Sequence, residues 1–244
     1  MMTSTAILEV ENLEKSYGGT SVLEGLDFQV KKGAVLGVTG PNGAGKTTLL
    51  NIISGLTTGK GTIRFQENSV SGRKPHELSR LGIARTFQAA TAFPDLTVRE
   101  NVFCGSYFGT SAGKREATEI ADEVLDFIGE LKGKEDASPA NFRLFDLRMV
   151  MLATALATRP SLLMLDEPAG GLTPSETETF MSLIRRINQE LGITIILVEH
   201  LMKVIVGLCD HLMILHNGRI LASGNPGEVA QDQRVIDVYL GSEH

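Results

Sequence analysis

The sequence predicts an α/β fold: a parallel sheet, a small antiparallel sheet beside it and a helical segment inserted into it. Three observations predict this. Short apolar runs alternate with helix-like runs through most of the chain, the pattern of strands covered by helices. The stretch GPNGAGKTT, residues 40–48, joins one apolar run to one helix-like run. Between residues 97 and 131 the period is helical and no strand run occurs.

Taken in order, residues 7–10 alternate apolar and acidic, as a half-buried strand does. Tyr17, Gly18 and Gly19 read as a turn, and residues 22–30 return as a second strand. GKGTIRF, residues 59–65, reads as another hairpin strand, which predicts an antiparallel sheet whose aromatic turn can reach a base. Residues 35–38 form a strand that feeds the 40–48 stretch, and residues 49–53 continue as helix. Residues 83–87 are a short strand before a polar turn. Residues 115–128 place Ile120, Val124, Leu125 and Ile128 on one helical stripe, and KGKEDASP, residues 132–139, is a polar linker. MVMLATALA, residues 149–157, reads as a buried helix too short to span a bilayer. Residues 161–165 and 193–198 are nearly all apolar, as buried parallel strands are. Helix-like runs follow at 176–190 and 202–208, and residues 212–215 and 219–222 flank an Asn217-Gly218 turn. The expected organisation is a single domain over 1–244, with the α/β core and antiparallel sheet in 1–96 and 147–244 and a helical subdomain at 97–146.

Composition narrows the function. The 244 residues carry 23 basic and 29 acidic side chains, a formal charge of -6, which argues against gripping duplex nucleic acid as the main task. The two cysteines, Cys104 and Cys209, are too far apart in sequence for a close-spaced metal pattern and fit a reducing compartment. The N-terminal segment has no basic stretch followed by an apolar one, so no signal peptide is expected.

The chemistry sits in a few places. Gly40, Gly43 and Gly45 let the backbone bend and aim successive N–H groups at one point, and the helix that follows adds its uncapped N–H groups and dipole. Lys46 can reach the β- and γ-phosphates of a nucleotide, and Thr47 can place a hydroxyl on Mg²⁺. Gly40, Pro41, Asn42, Gly43, Ala44, Gly45, Lys46, Thr47 and Thr48 thus form a phosphate-binding loop, and the fold class becomes a P-loop nucleoside triphosphate hydrolase core. Asp166 and Glu167 end an apolar strand and face the ligand crevice of an open sheet, Asp166 to hold Mg²⁺ and Glu167 to polarise water. His200 follows another such strand, where an imidazole can meet a γ-phosphate. Gln88, at a third strand end, can reach Mg²⁺ or water, and Tyr17 can stack on adenine or lie as a plain turn residue.

These stretches carry a resemblance over essentially the whole chain. The phosphate loop, LLMLDEP (162–168), GIARTFQ (82–88), LTVRENV (96–102), AGGLTP (169–174), the segment from Val198 to Val229 and RVIDVYLG (234–241) resemble the ATP-binding subunits of ABC transporters, those of branched-chain amino acid importers most closely. The resemblance implies that ATP and Mg²⁺ are bound and ATP hydrolysed by in-line attack of water. It assigns Tyr17 to adenine stacking, Lys46 and Thr47 to phosphate and Mg²⁺, Gln88 to sensing and coupling, Asp166 to Mg²⁺, Glu167 to the general base and His200 to the γ-phosphate. It implies a head-to-tail pair of ATPase subunits, two permease subunits, an extracytoplasmic solute-binding protein, and a place at the cytoplasmic face of the membrane, held there through the permease. The family's signature segment departs. Its positions fall on Phe142, Arg143, Leu144, Phe145 and Asp146, with Arg143 in the place of a serine and Phe145 in that of a close-approach glycine. This points to a heterodimer in which the partner supplies an intact signature, and to weak hydrolysis by this chain alone. Two other readings are a mainly regulatory nucleotide-binding subunit, which the altered signature favours, and a soluble ABC-type ATPase. The latter usually has two nucleotide domains or long coiled-coil inserts, and neither is seen here.

Overall fold

The computed structural model describes residues 6–240; residues 1–5 and 241–244, including Gly241 of the C-terminal segment, lie outside the described residues. Strands β1 (Ala6–Tyr17) and β2 (Thr20–Lys31) form a long hairpin. With β4 (Lys60–Phe65) and the short β5 (Asn68–Ser69) they make a four-stranded antiparallel sheet in the order β2-β1-β4-β5. β1 is much longer than its alternating start, because Asn12 at φ 47 and a register shift after Val10 absorb the break in alternation.

The second sheet holds β3 (Val35–Thr39), β6 (Ile83–Arg85), β7 (Leu162–Asp166), β8 (Thr194–Val198), β9 (His211–His216) and β10 (Arg219–Gly224). Its order is β10-β9-β3-β8-β7-β6, parallel except for the antiparallel edge strand β10. Strict alternation divides its side chains between two cores. Leu163, Leu165, Ile195 and Leu197 face one side, while Leu162, Met164, Ile196 and Val198 face the other, where α1 (Lys46–Ile53) and the antiparallel sheet lie.

The first side is covered by helices, among them α6 (Pro174–Leu191), and beyond it lies a helical unit. α3 (Val98–Gly109), α4 (Lys114–Ile128) and α5 (Leu144–Ala157) pack on one another, and α5 runs across residue 146. Gly105 and Gly109 form the seam between α3 and α5. A Cβ on Gly105 would stand 2.1 Å from the Thr154 carbonyl oxygen, and one on Gly109 2.6 Å from Thr158 Cγ2. The remaining helices are α2 (Pro75–Arg80), α7 (Met202–Leu208), α8 (Pro226–Val229), α9 (Gln233–Leu240) and a single 3-10 turn at Pro139–Asn141. No helix among the described residues is long and apolar enough to cross a membrane.

Candidate functional site

Parallel pairing sets Val38, Val198 and Asp166 level in the sheet, so the segments after β3, β8 and β7 leave it side by side. From β3 comes the 40–48 loop. Gly40, at φ 147, crosses so near β9 that a Cβ would lie 2.0 Å from the Leu215 carbonyl oxygen. Gly45, at φ 104, starts α1 with no side-chain cap, and no acidic residue stands in the first turn. Its Cβ position is 3.0 Å from the carbonyl oxygen of Val22, which brings the β1–β2 hairpin against the loop. Lys46 curls inward, its Nζ donating to the Gly40 carbonyl at 2.6 Å and to that of Pro41 at 3.0 Å. Burial lowers the ammonium's pKa, and the nearby Glu167 and Asp166 charges oppose that shift.

Asp166 ends β7 with its side chain 5% exposed and accepts from Arg85 Nη2 at 2.9 Å through Oδ2. Glu167 turns out of the sheet at φ 47, and its Oε2 accepts from Gln88 Nε2 at 2.7 Å. Glu199, fully buried after β8, accepts from the backbone N–H of Ala169 at 2.8 Å and of His200 at 3.0 Å. It thereby ties the segment after Glu167 to the segment that carries His200. The His200 ring is more than half exposed, its Nδ1 3.8 Å from Glu199 Oε2. Arg148 of α5 is buried behind this group; burial lowers its pKa against the pull of Glu199, Asp166 and Glu167, and Nη1 donates to the Phe87 carbonyl at 3.3 Å.

The structure therefore brings together Lys46, Gln88, Asp166 and Glu167, with His200 on the neighbouring strand end. Tyr17 is exposed at the hairpin tip, with Lys15 Nζ 4.7 Å from its ring centroid. Thr47 is exposed on the first turn of α1, next to Lys46. The 142–146 segment opens α5. Arg143 is the N-cap of α5, Leu144 packs at Gly171, Asp146 accepts from Lys134 Nζ at 2.7 Å, and Phe142 and Phe145 turn toward the core. Sequence reasoning missed Arg85, Arg148 and Glu199. Arg85 had a readable signal: a cation inside a short apolar strand requires a buried anion.

A polyphosphate fits this arrangement: an uncapped helix N-terminus, a glycine loop pressed on the sheet and an inward lysine all face it. Among the described residues no group of three or more His, Cys, Asp or Glu side chains could hold a metal ion alone. Magnesium bound through one carboxylate, a hydroxyl and phosphate oxygens matches that donor set.

The family model described as "ABC transporter" matches residues 23–170, more than half of the chain. The chain belongs to the ABC transporter family. It is an ATP-binding, ATP-hydrolysing subunit of that family, with ATP and Mg²⁺ as its cofactors. A second model, described as "Branched-chain amino acid ATP-binding cassette transporter", matches residues 219–244. The chain is similar to the high-affinity branched-chain amino acid transport ATP-binding protein BraF of Pseudomonas aeruginosa, at 34% identity over 98% of this chain and 99% of that protein. It is similar to LivG of Salmonella typhimurium at 33% identity, with the same shares covered. Among solved structures, a nucleotide-free ATP-binding cassette from an ABC transporter superposes with a TM-score of 0.88 at 28% identity, covering 96% of this chain and 99% of that one. The ADP conformation of an ATP-binding cassette reaches the same TM-score at 29% identity, covering 97% and 99%.

Proposed function

We propose that this ABC ATPase drives import of branched-chain amino acids or related small solutes. It acts at the cytoplasmic face of the membrane with a second ATPase subunit, two permease subunits and an extracytoplasmic solute-binding protein. The observation that carries the reading is the convergence of Lys46, Asp166, Glu167 and Gln88 beside the uncapped start of α1, in a chain whose C-terminal 219–244 matches the branched-chain amino acid type. Within the described residues, 6–96 and 158–240 make the nucleotide-binding core, and the inserted helical subdomain runs from 97 past the expected limit at 146 to the end of α5, which packs on α3 and α4.

In this reading, Lys46 exchanges its two carbonyl partners for phosphate oxygens, and the first-turn N–H groups of α1 hold the same phosphates. Thr47 and Asp166 would hold Mg²⁺, which when bound would offset the charge of the phosphates. Glu167 orients and deprotonates the attacking water once Gln88 releases its Oε2. His200 meets the γ-phosphate and Tyr17 stacks on the adenine. The permease reads this state at a cavity of about 390 Å³ between the core and the helical unit, where Leu56, Phe87 and Phe93 are exposed at the rim.

Dimeric pairing is supported by the likeness to a dimeric post-hydrolysis cassette bound to ADP and Pi, with a TM-score of 0.80 at 25% identity over 90% of this chain. A partly regulatory role has its own observation. At the position of the partner-facing signature, Arg143 offers a guanidinium and Phe145 a ring turned into the core. The pair of subunits would then have one competent site, built on Lys46, Glu167 and His200 here, and one degenerate site. The test is steady-state ATPase activity of reconstituted heterodimers. Lys46→Ala nearly silences the complex, and alanine at the partner's loop lysine costs clearly less. Equal losses, or fast hydrolysis by this chain alone, overturn the asymmetry.

A further inference from the structure

Arg85 is the last residue of β6, and its guanidinium joins three parts of the molecule. Nη2 donates to Asp166 Oδ2 at 2.9 Å, with both side chains 5% exposed. Nη1 donates to Asn51 Oδ1 at 2.7 Å in the last turn of α1 and to Ser54 Oγ at 3.1 Å at its C-cap. The face of the Phe87 ring lies 5.0 Å away, and Arg85 lines the cavity between the core and the helical unit. Its Nε is buried and has no acceptor among the described residues.

A buried ion pair of this kind is not explained by stability, since well-packed apolar replacements are often as stable or more so. Its geometry is specific. A planar fork sends one nitrogen to β7 and another to α1, and so fixes the angle between the carboxylate and the helix. A point charge on a flexible stem cannot make both contacts in one orientation.

We propose that Arg85 is a positioning residue for the metal-bearing carboxylate. By occupying Oδ2 and anchoring on Asn51 and Ser54, it fixes the orientation in which the Asp166 carboxylate would hold the magnesium. It also makes the wall of the cavity part of the metal site. The inference rests on the reading of Asp166 as the metal-bearing residue and deepens it.

The test compares full-length wild type with Arg85→Met, Arg85→Lys and Asp166→Asn. Affinity for ADP is measured without metal and with Mg²⁺, and Mn²⁺ binding to the ADP-loaded protein is followed by electron paramagnetic resonance. Arg85→Met leaves metal-free ADP affinity near wild type and weakens metal binding by about tenfold or more, the usual scale for loss of an outer partner of a metal ligand. Arg85→Lys restores part of that loss. Unchanged metal affinity in folded Arg85→Met overturns the proposal. If Asp166→Asn also leaves metal affinity unchanged, the failure lies in the reading of Asp166 instead. If Arg85→Met does not fold, the double variant Asn51→Ala, Ser54→Ala decides. It keeps the Asp166 pair and removes the helix anchors, and a metal affinity equal to wild type then overturns the proposal.

Discussion

Replacing Lys46 by alanine separates the two jobs of that side chain. One is to donate its Nζ to the carbonyls of Gly40 and Pro41 at 2.6 and 3.0 Å. Bonds from a charged donor contribute about 1.5–3 kcal/mol each before the cost of burying the ammonium, which offsets much of this, leaving a loss of roughly 1 kcal/mol. For a chain of this size that lowers Tm by about 2–4 °C. In the bound chain the same ammonium faces phosphate. One unit-charge pair at about 4 Å in an effective dielectric near 20 is worth about 4 kcal/mol. After subtracting the carbonyl bonds given up, about 2–3 kcal/mol of binding is lost, a fall in affinity of roughly 30- to 150-fold. Isothermal titration with Mg-ATP and thermal denaturation of the free proteins measure the two effects. Binding by Lys46→Ala within about threefold of wild type, a difference below 1 kcal/mol, would refute the placement of the phosphates.

Two further outcomes follow from packing and burial. Gly105→Ala sets a Cβ 2.1 Å from the Thr154 carbonyl oxygen, so α3 must move off α5. A loss of about 1–3 kcal/mol is expected in urea denaturation, and an unchanged midpoint would refute the close packing of this seam. Cys209 is buried against Gly37, and desolvation, helped by the Asp210 and Glu199 charges, raises its thiol pKa from 9.0 to about 12. The folded chain then holds a proton that the unfolded chain releases, so the stabilising contribution is intact below pH 9 and is lost as pH rises toward 12. Stability of wild type should fall relative to Cys209→Ala across that window, by at most about 1.4 kcal/mol per pH unit; parallel pH profiles would refute this.

Much of the fold was legible because its strands are buried on both faces and read as unbroken apolar runs. The runs ending at Asp166 and Val198 are of this kind, and residues 202–208 matched a helix end to end. What escaped was either short or distant in sequence. α2 has six residues, and its start is marked by Pro75 and by the Glu77 carboxylate accepting from the Lys74 N–H at 2.9 Å, signals too small for a periodic reading. β5 has two residues and exists only through its pairing with β4. At the site, residue types at strand ends were legible, but their mutual contacts were not. Arg85 and Asp166 are 81 positions apart, Gln88 and Glu167 79, and only the sheet order makes them neighbours.

Helix α5 begins without any side-chain cap; the Arg143 carbonyl accepts from the Leu147 N–H at 3.0 Å, and that backbone bond closes the first turn. The Arg143 side chain makes no capping bond, so replacing it removes none from the start of the helix. Phe145 is held on its inner side by the core. Over generations, the tip of this rod can therefore change its chemistry without unfolding the body that carries it. A lineage can lose one half of a shared site and still inherit an intact, well-folded subunit, provided another chain keeps the half that was lost.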